Sequence, residues 1–171
     1  MSETPPEGSS GGFTVHRRLH TSAKLVYAAF VEPRNLEQWF VVPGYHTPAD
    51  RMRVDARPGG RLDAVMISDT DGTEIPFGFT YAELDPPHRV VLRFDEPREL
   101  VTVTLADAPD GDVDLTYEFV SWPGPADPDA SRRGVDDMLD LIEAGIERGT
   151  IHGSSVAERT TASTSTGETQ V

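Results

Sequence analysis

The sequence contains no cysteine and a single lysine, Lys24, against 14 arginines. Without cysteine there is no disulfide framework, no thiol nucleophile and no thiolate metal site, so the fold must stand on its core alone. The cytoplasm is the expected compartment. Long hydrophobic runs are missing too: nothing approaches the ~18 apolar residues needed to span a bilayer, so no membrane segment is expected. Met1 to Gly12 is polar and acidic where a signal peptide would be basic and then apolar, and export is not expected. Positive charge is scarce as well. The 15 Lys and Arg face 29 Asp and Glu, a net charge of -14, and the arginines form no cluster. A polyanionic partner would meet a repulsive field, which excludes nucleic acid.

A chain of 171 residues fits one hydrophobic core, since about 100–200 residues make one domain. Residues 1–12 carry no apolar side chain after Met1 and read as a disordered tail. Residues 150–171, largely Ser, Thr, Glu and Gly, read the same way. The domain is therefore expected over 13–149.

Phe13, Val15 and Leu19 alternate with polar residues, the period of a half-buried strand. Thr21 and Ser22 can cap a short helix whose stripe is Leu25, Val26, Ala29 and Phe30, and Pro33 opens a second short helix through Leu36 and Trp39. Strand patterns follow, separated by turn chemistry at Arg57-Pro58-Gly59-Gly60, Asp71-Gly72, Asp85-Pro86-Pro87 and Asp110-Gly111. They cover Met52 to Val54, Leu62 to Met66, Ile75 to Leu84, Val90 to Phe94, Leu100 to Leu105 and Val113 to Phe119. The period then changes: Val135, Met138, Leu139, Ile142 and Ile146 form one face of a long helix, with Asp136, Asp137, Asp140, Glu143 and Glu147 as its solvated face. The fold class is α+β, a curved antiparallel sheet of about seven strands wrapped around a long C-terminal helix, with two short helices after strand one. That helix is expected to cover the sheet, being the longest element available.

The run Asp55-Ala56-Arg57-Pro58-Gly59-Gly60, then Asp71-Gly72, then Gly78 ahead of Glu83-Leu84-Asp85-Pro86-Pro87, with Pro33, Leu36 and Trp39 upstream, resembles the SRPBCC (START-like) superfamily. Its nearest branch is the one similar to the C-terminal domain of the activator of the ninety-kilodalton heat-shock ATPase. The resemblance covers about Phe13 to Gly149 and implies a helix-grip fold, commonly with a hydrophobic ligand pocket. One position departs: members often open the last helix with Gly-Trp, where this chain has Gly134-Val135.

Alternation places Phe77, Phe79 and Tyr81 on one strand face, with Phe94 and then Tyr117 and Phe119 on the corresponding faces of later strands. These are the expected walls of a cavity. Met52, Met66, Met138 and Leu141 are expected to join them, with Trp39 and Phe40 at the entrance. Plain packing of the same aromatic stripe is the competing reading. Gly78 decides between inward and outward registers, because a one-residue slip would turn every ring to the other face.

Titratable groups on that inward set are limited to Tyr81 and Tyr117, so the wall suits holding an apolar molecule better than reacting with it, and no catalytic residue is assigned. His16 and His20 lie four apart, a ligand spacing on a helix, but on a strand both fall on the polar face. His46, His88 and His152 read as loop or tail residues. No metal and no cofactor is expected. Asp55 and Arg57 are placed for a local ion pair.

Three functions are consistent with these features. The first is a protein that binds a small hydrophobic molecule between sheet and C-terminal helix. The second is a co-chaperone-like module acting on a chaperone ATPase. The third is a polyketide cyclase or aromatase-type enzyme using the same cavity. A hollow interior separates the first and third from the second, and an inward acid, base or histidine separates the third from the first.

Overall fold

The computed structural model describes residues 11–153 apart from 97, 123 and 126. The tails expected over 1–10 and 154–171 lie outside the described residues. Strand β1 (Gly11–Leu19) is followed by α1 (Ala23–Val31) and α2 (Pro33–Trp39). Next come β2 (Tyr45–His46), β3 (Arg53–Val54), β4 (Arg61–Ser68), β5 (Glu74–Asp85), β6 (Arg89–Phe94), β7 (Arg98–Asp107) and β8 (Val113–Trp122), and the chain reaches α3 (Pro128–Glu147). The helices start where capping chemistry allows. The Ser22 side chain accepts from the Leu25 N–H, Pro33 sits at the first turn of α2, and Asp127 accepts from the Ala130 N–H.

All strands pair antiparallel in one eight-stranded sheet, ordered β1-β8-β7-β6-β5-β4-β2, with β3 also on β4. The strand beyond the expected seven is Tyr45–His46, too short to show alternation and held by pairing with Ser68 and Ile67. The turn after β3 is fixed by backbone geometry. Gly59 has φ +82°, and a Cβ on Gly60 would lie 2.0 Å from the Asp55 carbonyl oxygen. The same turn exchanges two backbone hydrogen bonds with Tyr81 (Gly59 N to Tyr81 O, 2.7 Å; Tyr81 N to Gly60 O, 2.8 Å), beside the register shift at Tyr81/Glu83.

The register settles the inward face. Gly78 pairs with Asp63 and points outward, where a Cβ would lie 2.5 Å from the Leu62 carbonyl oxygen, so Phe77 and Phe79 turn in. Successive rows across the inner face read Tyr81, Leu92, Val101, Phe119, Phe13; then Leu84, Val90, Val103, Tyr117, Val15; then Leu105, Leu115, Arg17.

Coverage of this face is shared, contrary to the expectation that the last helix does the work. Helix α3 contacts β1 and α2, while α1 lies over β6 and β7. The reason is composition: Val26, Tyr27, Ala28, Ala29, Phe30 and Val31 of α1 are all buried, so this short helix is apolar nearly all round and fills the middle of the bowl. The packed chain also runs past the expected boundary at Gly149. Ile151 is buried against Gly145, and Asn35 exchanges hydrogen bonds with His152 (Asn35 Nδ2 to His152 O, 2.8 Å; His152 N to Asn35 Oδ1, 3.1 Å). Among the described residues no helix is long and apolar enough to cross a membrane.

Candidate functional site

Seven of the aromatic side chains form one connected cluster. Phe30 meets Trp39, Trp39 meets Phe40, Phe40 stacks on Phe77 at 5.1 Å and 2°, and Phe79 touches Phe40, Tyr81 and Phe94. This side of the interior is filled by rings rather than open. Offset and tilted pairs of this kind each add about 0.5–1.5 kcal/mol beyond area burial.

Trp39 is not at an entrance. It is 3 % exposed and its indole Nε1–H donates to the Ala29 carbonyl at 2.7 Å, so α2 uses it as a peg into α1. Tyr81 is likewise closed to a ligand, because its buried hydroxyl donates to the Phe30 carbonyl at 2.9 Å. Burial pushes that phenol pKa well up. Leu141 faces away from the interior at 38 % exposed. At about 100° per residue it lies about 200° round the helix from Leu139 and about 100° from Ile142, both fully buried. Met52 and Met138 are half-buried against the core, and Met66 is half-buried on the inner face of β4 outside the core cluster.

The inward face changes character at the end where β8 gives way to α3. Val90, Val103, Tyr117, Val15, Leu105 and Leu115 are buried, but Phe13, Phe94 and Phe119 are only partly covered, and Phe13 stacks on Phe119 at 5.1 Å. The overhanging start of α3 presents Arg132, Arg133 and Gly134 to solvent, and its first buried residue is Val135. This open end is the candidate site.

Two polar groups at its floor were not among the sequence-derived candidates. Glu99 shares the inward parity of Val101 and Val103 and pairs with Phe94 on one side and Ser121 on the other. Burial raises its carboxyl pKa above the usual range. Ser121 itself is buried on the same row. Tyr117 lies deeper; burial foremost, and then the Glu99 charge, drive its phenol pKa up. The signal for Glu99 was its position two residues before Val101. Starting the strand at Leu100 hides it.

Three grooves lie outside the inward face, the smallest of them bordered also by Phe13 and Phe119. One of about 1200 Å³ runs along α2, lined by Glu37, Asp50 and His152. The other two, about 520 and 340 Å³, sit on the outer sheet surface beside Arg61 and Gly78 and beside Leu100 and Val120.

The family model described as Activator of Hsp90 ATPase homolog 1-like protein matches residues 20–147. The chain belongs to this family. None of the curated proteins matches. Among solved structures, a protein of Chromobacterium violaceum is 28% identical at a TM-score of 0.67, covering 78% of this chain and 96% of its own. One from Rhizobium leguminosarum is 27% identical at 0.62, covering 82% and 96%. An AHSA1-like protein from Aeromonas hydrophila, 21% identical at 0.65 and covering 82% and 96%, shares the fold.

Within this family member the remaining polar candidates are surface pairs. His20 Nδ1 lies 3.1 Å from Asp112 Oδ2, His46 Nδ1 2.6 Å from Asp69 Oδ1, and His88 Nε2 3.2 Å from Asp107 Oδ2, all exposed. His16 sits 3.3 Å from the Thr116 hydroxyl. The Arg57 Nε donates to Asp55 at 2.8 Å, the expected local pair. The acidic face of α3 is different from its reading as a solvated surface. Arg17, on the inner parity of β1, reaches Asp136, Asp140 and Glu143 at 3.4, 2.7 and 3.4 Å.

Proposed function

We propose that this family member binds a small hydrophobic molecule at the open end of the chamber between the sheet and α3. The observation that carries the reading is the partial exposure of three inward-facing phenylalanines, Phe13, Phe94 and Phe119, gathered at one end of a sheet face whose central positions Val90, Val103 and Leu115 are buried. Apolar rings left at a concave rim gain about 25 cal/mol per Å² when a guest removes them from water. The aromatic cluster around Phe79 is packing in this reading, so the proposed guest rests against Phe94 and Phe119. The absence of cysteine suits a cytoplasmic location.

The test is ligand retention by the full chain. Nile red should bind saturably, Phe119→Arg should abolish binding in a variant that still shows the parent circular dichroism spectrum, and native mass spectrometry of protein from its own host should show a retained small molecule. Non-saturating titrations together with an empty mass spectrum would end the reading. A cyclase-type enzyme in the same chamber is the second reading. Glu99 favours it, being an inward acid whose raised pKa suits proton donation. Action on a chaperone ATPase is suggested by the family's description alone, and stimulation of such an ATPase by the purified chain would test it.

A further inference from the structure

Glu99 is a half-buried carboxylate on the inward face, between Phe94 and Ser121, and among the described residues it has no ion-pair or hydrogen-bond partner. The cations nearest in sequence are turned to the outer face: Arg98 lies over the Trp122 ring at 4.7 Å and Arg93 approaches Asp95 at 3.7 Å. Arg17, the inward cation on β1, is already held by three carboxylates of α3.

Two hydroxyls accompany it. Ser121 is 5 % exposed and Tyr117 8 %, and among the described residues neither side chain has a hydrogen-bond partner. Yet no described side-chain N or O is both fully buried and unsatisfied. Ser121 lies directly opposite Glu99 across the β7–β8 ladder, and Tyr117 lies two rows further along the same face. A buried hydroxyl without a partner is costly, so this is a place where a ligand's donors would be rewarded.

We infer that the site selects apolar ligands carrying a protonated amine, with the ammonium donating to Glu99 and to the neighbouring Ser121 oxygen while its hydrocarbon part lies against Phe94 and Phe119. This rests on the ligand-binding reading above and names its substrate class. An ammonium supplies up to three donors, and both the Glu99 carboxylate and the Ser121 oxygen can accept. Phenylalanine faces tolerate a cation, whereas a ligand carboxylate in the same place would be repelled by Glu99, the arginines of this end, Arg132 and Arg133, being on the exposed face of α3. The net charge of -14 also steers cations toward the protein.

The test displaces Nile red from the full chain with three ligands on one scaffold: 1-naphthylmethylamine, 1-naphthylmethanol and 1-naphthoate. The amine should displace the dye at a concentration at least tenfold below the alcohol, with the carboxylate weakest, as charge-assisted bonds of about 1.5–3 kcal/mol imply. Glu99→Gln should bring amine and alcohol within threefold while the alcohol is unchanged, and Ser121→Ala should lower the amine preference in the same direction. Saturable dye binding with equal displacement by amine and alcohol overturns this inference and leaves hydrophobic binding standing. Dye that never saturates overturns both.

Discussion

Arg17 on β1 donates a 2.7 Å hydrogen bond to the Asp140 carboxylate on α3, tying the first strand to the last helix. The same guanidinium, 20 % exposed, also reaches Asp136 and Glu143. Removing it would leave three carboxylates on successive turns of one helix repelling each other. Arg17→Met, which keeps an apolar stem of similar reach, should therefore lower stability by about 1–2 kcal/mol in urea unfolding. The loss should shrink in high salt, because Asp140 is largely exposed and its pairing is screened. Equal midpoints at low salt would show that the clamp contributes nothing.

The Tyr81 hydroxyl serves the fold rather than a guest. Its bond to the Phe30 carbonyl joins β5 to the end of α1 inside the core. Tyr81→Phe leaves that carbonyl without its donor and should cost about 1–2 kcal/mol in the unfolding midpoint. Nile red affinity should stay within twofold of the parent. A large drop in dye affinity with unchanged stability would place the ligand beside Tyr81 instead of at the open end.

Residues 150–152 act as a strap over α2. The Gln38 amide donates to the Thr150 carbonyl at 2.7 Å, Asn35 and His152 exchange two bonds, and Ile151 fills the space that a side chain on Gly145 would take. A chain ending after Gly149 should be less stable than one ending after Gly153 by about 3 kcal/mol, the scale of losing one buried isoleucine with its neighbours' bonds. Ile151→Ala in the full chain should reproduce most of that loss. Identical melting of the two truncations would remove the strap from the list of stabilising contacts.

Much of this architecture was legible because period survives in the sequence. The two-residue alternation of Val113 to Phe119 and the helical stripe through Val135, Leu139 and Ile142 are properties of one element and need no partner to be seen. The failures share a cause: each depends on a contact between distant parts of the chain. Nothing local marks Asp140 as a partner for Arg17, so the acidic stripe reads as solvated. Trp39 reads as an entrance because its acceptor, the Ala29 carbonyl, is a backbone atom of another helix. Ile151 sits between Thr150 and His152 in a polar stretch with no periodic neighbours, so its burial has no sequence signature. The inward position of Glu99 was available from parity with Val101, but a charged residue at a strand's start is naturally assigned to the solvated turn before it.

Glu99 also carries a pH signature that separates a functional carboxylate from a structural one. Burial raises its pKa in the folded protein above the unfolded value of ~4.3, so within that interval the native state binds more protons than the unfolded state. Stability then falls as pH rises through the interval, and at neutral pH the ionised group is a net cost. Glu99→Gln removes the charge while keeping the shape, so the variant should unfold at a higher denaturant concentration than the parent at pH 7. The two curves should converge as pH is lowered below the ordinary glutamate range, where the parent is protonated in both states. A charge retained at a stability cost is expected of a group that serves binding or chemistry. If Glu99→Gln instead lowers stability at pH 7, the carboxylate has a stabilising partner in solution, and both the amine-selective floor and the acid role of Glu99 lose their physical basis.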